Sequence, residues 1–241
     1  MKLTLETRVD ESIPLIEYKR DNYPYKGLVF IQHGYESTKE YGSDYLALDL
    51  ARRGFFVVAI DAYKHGERIL EPYVTGTAED RLNEAFVVVK RTALDIIRLH
   101  HNQYKEFPTF DFIGVSLGGM VGYYLATKTN RLGKLVPVIS TPDFQHQAYH
   151  AVGAAGLDTA TFFTPEKLDF IASLNPLNRL DKMAFQSLFA LVGDRDEVVP
   201  KGPTEAFFEA HGDKRMRLAS FDVGHSVSRP MQLAIFDYID Q

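Results

Sequence analysis

Phe110-Asp111-Phe112-Ile113-Gly114-Val115-Ser116-Leu117-Gly118-Gly119 reads as a strand that ends in a tight turn and opens a helix. Its centre, residues 114–118, fits the pattern G-x-S-x-G. Taken alone the pattern is weak. With Gly and Ser each near ~7% of residues, three fixed positions recur by chance in about one chain in ten of this length. The setting carries the reading. An apolar run precedes the motif, and a stretch with helix character, 117–127, follows it with Gly118, Gly119 and Gly122. Gly114 and Gly118 remove the Cβ atoms that would collide where strand and helix approach. Such a turn pushes the Ser116 hydroxyl outward as a candidate nucleophile. The helix start aims backbone N–H groups, that of Leu117 among them, at the same place. The competing reading is an ordinary strand-to-helix turn with Ser116 as the cap.

Working outward, residues 3–9 and 13–18 alternate apolar and polar side chains around Asp10-Glu11-Ser12, as an antiparallel hairpin at a sheet edge would. Short apolar runs at 27–31, 55–60, 110–115, 135–139, 185–192 and 216–221 read as buried strands. Helical spacing lies between them at 37–53, 78–101, 117–127, 204–210 and 231–238, with Gly54 as a stop signal. Strand and helix thus alternate from residue 27 onward. The expected architecture is a mostly parallel eight-stranded sheet with helices on both faces. At 241 residues the chain suits one domain, 1–241. Residues 141–183 are too long for a plain connection. Part of this stretch, 165–173, looks helical, and it carries Phe144, Tyr149, Phe162 and Phe163. It is expected to be a small lid or cap insertion.

Composition narrows the function. The hydrophobic share is 45% and the charged share 24%, both ordinary for a globular chain. Net charge is -5 and no basic run occurs, which argues against nucleic acid and against an anionic membrane surface as partners. With no cysteine there is no disulfide, thiolate nucleophile or Cys-ligated metal. The first residues lack an apolar signal region, and no apolar run reaches spanning length, so a cytoplasmic address is expected. Oligomeric state is not legible.

A serine hydroxyl needs a base, and the base needs an orienting acid. Four histidines follow Ser116: His146, His150, His211 and His225. His225 comes directly after the last expected strand, where sites assemble in open α/β sheets. His211 falls at a helix end and suits a cap. His146 and His150 sit at i,i+4 and could share a metal, but no third ligand is near in sequence, so no metal is expected. For the acid, Asp194, Asp196 and Glu197 all lie in the loop after strand 185–192, and the residues alone leave them in competition.

With these segments in place, the sequence resembles the α/β-hydrolase family over nearly its whole length. The family's G-x-x-D-x-V-[VI]-P loop corresponds to residues 193–200 and assigns the acid to Asp196. Its Gly-His pair before the last helix makes His225 the base. Its His-Gly pair corresponds to His33-Gly34, with the Tyr35 N–H as second oxyanion donor beside Leu117. Asp61-Ala62-Tyr63-Lys64-His65-Gly66-Glu67-Arg68 is similar to the D-x-x-x-H-G-x-[SR] loop of dienelactone hydrolase-like and prolyl oligopeptidase-like members, where it shapes the pocket wall. The chain departs from dienelactone hydrolase itself, whose nucleophile is a cysteine. The resemblance implies a carboxylesterase acting on a small-molecule ester, with no cofactor, and the aromatics of the wall and the limited lid favour a short or medium apolar acyl group. Thioesterase, peptidase, acyltransferase and a non-catalytic binding protein share the same framework.

Overall fold

The computed structural model describes residues 2–21, 24–41, 44–69 and 76–241. Eight strands form one sheet: β1 (Leu3–Asp10), β2 (Ile13–Arg20), β3 (Leu28–Gln32), β4 (Phe56–Ile60), β5 (Phe110–Val115), β6 (Leu132–Val138), β7 (Ser187–Gly193) and β8 (Met216–Phe221). Their spatial order is β1-β2-β4-β3-β5-β6-β7-β8. The first two pairings, β1 with β2 and β2 with β4, are antiparallel. All others are parallel. The expected hairpin is present. Glu11 and Ser12 both take positive φ (47° and 68°), as a two-residue turn compatible with strand twist requires.

The parallel strands are apolar on both faces because helices cover both. Leu28, Phe30, Val58, Ile60, Phe110 and Phe112 share a buried cluster with α2 (Ala78–Gln103) and α3 (Leu117–Ala126). Their neighbours of opposite parity, such as Val29, Ile31, Val57, Ala59 and Ile113, pack with α1 (Asp44–Arg53) and α8 (Arg229–Asp240). The two-residue strand period thus builds two cores, one on either side of a single sheet.

Helix α2 starts where its sequence permits. The Thr77 hydroxyl accepts from Asp80 N–H, and the Asp80 carboxylate accepts from Thr77 N–H at 2.7 Å. Helix α1 differs from expectation. The spacing predicts a start at 37, but the described residues 37–41 are not helical and α1 begins at Asp44. Tyr41, counted toward the apolar stripe, is 87% exposed, whereas Lys39 is buried and turns the chain inward. The far end behaves as expected: Gly54 takes φ 101° and Phe55 N–H returns to Leu50 C=O at 3.2 Å.

Residues 141–183 hold more helix than the sequence suggested. They contain α4 (Phe144–Ala154), α5 (Thr159–Phe162), α6 (Pro165–Leu174) and a 3₁₀ stretch, Pro176–Lys182. Asp143, Asp158, Thr164 and Asn175 cap these in turn. Phe144 meets Phe86 of α2 with ring centroids 5.7 Å apart. Between β7 and β8 runs α7 (Gly202–His211). No helix among the described residues is long and apolar enough to cross a membrane.

Candidate active site

Ser116 occupies the turn between β5 and α3 with φ 55° and ψ -114°, a region a non-glycine residue adopts only under constraint. The constraint is local crowding. A Cβ on Gly114 would fall 2.1 Å from the Gly118 carbonyl oxygen. One on Gly118 would fall 2.3 Å from the Gln32 carbonyl oxygen, and one on Gly119 would meet the Ser140 side chain. These contacts are to backbone or to buried atoms, so no side chain could swing away. The glycines let helix and strand close to contact, and Ser116 is left at the apex.

His225, in the loop after β8, places Nε2 2.8 Å from the Ser116 Oγ. Its Nδ1 lies 2.8 Å and 3.0 Å from the two Asp196 carboxylate oxygens. Asp196 Oδ1 also accepts from Val198 N–H and Val199 N–H at 3.0 and 2.9 Å. Every bond made by this carboxylate asks it to accept, so the imidazole hydrogen belongs on Nδ1. The Nε2 lone pair then faces the serine hydroxyl, which donates to it. The Asp196 side chain is fully buried and His225 about a quarter exposed, so the chain of bonds runs from interior to surface.

Neither competing carboxylate, Asp194 nor Glu197, bonds His225. Asp194 accepts from Lys201 Nζ at 2.8 Å and from the Ser220 hydroxyl. Glu197 offers its backbone carbonyl to His150 Nε2 at 2.7 Å. That bond occupies one nitrogen of the His146–His150 pair, whose rings stack 6.2 Å apart, and no group of three or more potential metal ligands occurs among the described residues. His211 closes α7, its ring 5.7 Å from Phe207.

His33 is fully buried at the end of β3. Its Nδ1–H donates to Gly34 C=O at 2.7 Å, and its Nε2 accepts from Ala62 N–H at 3.0 Å. Burial pushes its pKa down to about 4, and the Ala62 N–H requires a lone pair on Nε2, so the ring is neutral at ordinary pH. His33 therefore shapes the loop, and it ties the end of β3 to the end of β4. His65 is pushed down by burial as well. Gly34 approaches Ser116 so closely that an added Cβ would lie 3.3 Å from the Ser116 Cβ. This brings Tyr35 to the same opening as Ser116 and Leu117, whose N–H stands in the first turn of α3, where no intrahelical acceptor exists.

Beside Ser116 lies a cavity of about 340 Å³. Leu82, Phe86 and Val89 of α2, Met120 of α3, and Phe162 and Ile171 of α5 and α6 supply much of its wall. Lys167, also at the wall, donates to the Phe162 carbonyl at 2.8 Å and lies over that ring at 4.2 Å. The sequence reading named Ser116, Asp196 and His225, which the structure brings within bonding distance, and placed Phe162 in a cap. It did not read the share that α2 and α4 take in this wall, because 78–101 was read only as a long helix and α4 was not recognised. An Asp at 143 followed by apolar residues at 144, 148 and 152 was the signal for α4. The second omission is Lys39, for which an isolated sequence holds no signal.

No family model matches the sequence, and no curated protein matches it. Solved structures do. TT1662 from Thermus thermophilus is similar with a TM-score of 0.78 at 21% identity, over 100% of this chain and 98% of that one. Acetyl xylan esterase 1 from Thermoanaerobacterium sp. JW/SL YS485 follows at 0.71 and 17%, over 100% and 88%. A puromycin-hydrolyzing peptidase of Mycobacterium tuberculosis gives 0.73 and 17%, over 99% of this chain and 38% of the other. At such identities the likeness is one of architecture, and it agrees with the strand order and turn described above: the chain has the α/β-hydrolase fold.

Proposed function

We propose that the protein is a serine-dependent hydrolase of carboxylic esters. The observation that carries this reading is the bonded line Ser116 Oγ, His225 imidazole, Asp196 carboxylate, opening beside an apolar cavity. Ser116 attacks the ester carbonyl as its proton passes to His225 Nε2. Asp196 holds the ring in place and stabilises the imidazolium. The Leu117 and Tyr35 N–H groups receive the negative charge that builds on the carbonyl oxygen. His225 then protonates the departing alcohol. A water, deprotonated by His225, attacks the acyl-enzyme and releases the acid, returning the proton to the imidazole and then to Ser116.

The acyl group goes to the cavity, whose wall offers rings and aliphatic chains. Such a wall suits a short or medium apolar acyl chain. The same catalytic line would also cleave a thioester or an amide, so the bond is the point to test. A panel of p-nitrophenyl esters from acetate to decanoate should show kcat/KM rising with chain length and then falling once the cavity is full. A CoA thioester and a peptide anilide run beside it should turn over more slowly. Faster thioester turnover than that of any ester would reassign the substrate class.

A further inference from the structure

Lys39 is 1% exposed, yet the chemistry above makes no use of it. Its ammonium lies 3.0 Å from Asp61 Oδ2, 2.8 Å from Glu40 Oε1 and 2.5 Å from Glu67 Oε1, so all its donors are taken. Burial alone would push the ammonium toward its neutral form, but the surrounding carboxylates outweigh this and hold it charged. Asp61 is fully buried and accepts from Lys39 N–H and Glu67 N–H at 2.9 and 3.0 Å. Gly66, at φ 53°, leaves room for this carboxylate, since a Cβ there would fall 2.2 Å from Asp61 Oδ1. A buried ion pair such as Lys39–Asp61 adds little net stability over apolar packing, but separating its partners leaves a charge buried and unpaired, so the pair ties together the two backbones that carry it.

Here those backbones are the loop after β3 and the loop after β4. The first is tied at its start by His33 to Ala62 N–H and at its end by Lys39 to Asp61. Tyr35 lies between the two ties, its ring 5.6 Å from that of His65 in edge-to-face contact. Gly34 of the same loop comes so close to Ser116 that a Cβ added there would lie 3.3 Å from the Ser116 Cβ. A donor to a developing oxyanion must be placed within a few tenths of an ångström, and an error of 1 Å costs about a hundredfold in rate.

We propose that Lys39 is a positioning residue: by clamping the end of the 33–39 loop to Asp61 and Glu67, it holds the Tyr35 N–H against the substrate oxygen in the transition state. This rests on the reading of Ser116 as nucleophile and Tyr35 as donor.

The test is steady-state kinetics on a p-nitrophenyl ester together with the inhibition constant of an alkyl boronic acid, whose tetrahedral adduct on Ser116 calls on the same donors. Lys39→Met removes the ammonium at similar volume. Glu67→Ala removes one arm of the clamp at a position more than half exposed, where the fold is not at risk. We expect kcat to fall about 10- to 100-fold in Lys39→Met and about threefold in Glu67→Ala, with KM within about twofold. Boronate affinity should fall in step with kcat. If Lys39→Met does not fold, Lys39→Met combined with Asp61→Asn avoids a buried unpaired carboxylate, and Glu67→Ala gives the same comparison independently. Unchanged kcat in the folded variants overturns the inference, and so does a fall in kcat with boronate affinity intact. Phosphonate labelling separates this from the parent reading. A labelled Ser116 with indifferent Lys39 and Glu67 variants overturns the clamp alone; an unlabelled Ser116 in the wild-type chain overturns both.

Discussion

The Ser116 turn and the cavity beside it adjoin one another but are specified in opposite ways. The turn is fixed by backbone. Gly114, Gly118 and Gly119 sit where any side chain would strike main-chain or buried atoms at 2.1–2.4 Å. The cavity is fixed by side chains from α2, α3, α4, α5 and α6, whose shapes can be exchanged for others of similar volume. A backbone-defined region tolerates no substitution and leaves a signature in the sequence. A side-chain-defined region tolerates many and leaves little. Chemistry should therefore fail abruptly at the turn and drift gradually at the cavity.

The largest effect expected is on the turn's own side chain. Ser116→Ala should lower kcat about 10⁴-fold or more while the far-ultraviolet circular dichroism stays unchanged. Retained turnover would place the nucleophile elsewhere. Next is Gly114→Ala, whose new methyl has no space to enter. A loss of about 3 kcal/mol or more in urea unfolding is expected, with activity lost alongside stability. A well-folded, active Gly114→Ala protein would break the contrast between the two regions.

The third prediction concerns His33, which belongs to the backbone-defined side. Its pKa is pushed down to about 4 in the folded chain by burial, against about 6.5 when unfolded. Below pH 6.5 the unfolded chain binds a proton that the native ring refuses. This contribution to stability is thus complete above pH 6.5 and is lost as the pH falls toward 4. The loss is about 2 kcal/mol by pH 5. His65 shifts in the same direction and adds to it, while Asp61 and Glu40 pull His33 the opposite way. Urea titrations at pH 7 and pH 5 should show a smaller difference in His33→Gln than in the wild type. An equal difference would mean that His33 is not held neutral.

The smallest effect lies in the wall. Phe162→Ala should cost about 2 kcal/mol, below the roughly 3–5 kcal/mol of a fully enclosed ring because one side already faces the cavity. It should shift the preferred ester toward a longer acyl chain with kcat for the short esters nearly kept. A collapse of kcat would show that the wall, too, is strictly specified.

The same contrast explains what could be read from the sequence. The hairpin turn at Glu11 and Ser12, the stop at Gly54 and the elbow around Ser116 are local events with local causes, and each had a residue pattern. Asp196 and His225 could be placed because each follows a strand, although choosing Asp196 over Asp194 and Glu197 needed the family resemblance. The structure supplies the physical distinction: Asp194 is taken by Lys201 and Ser220, and only the Asp196 carboxylate reaches His225. The start of α1 was misread because periodicity at Tyr41 and Tyr45 cannot report that Lys39 is drawn inward by Asp61, 22 residues away. The cavity wall joins Leu82 to Ile171, and such long-range packing has no local trace.

The most direct test of the central claim is the rate at which a fluorophosphonate modifies the folded protein, followed by mass spectrometry. A single adduct on Ser116 is predicted, forming at least about a hundredfold more slowly in His225→Ala, since the imidazole supplies that much as a base. An adduct on another residue, or the same rate without the imidazole, would contradict it.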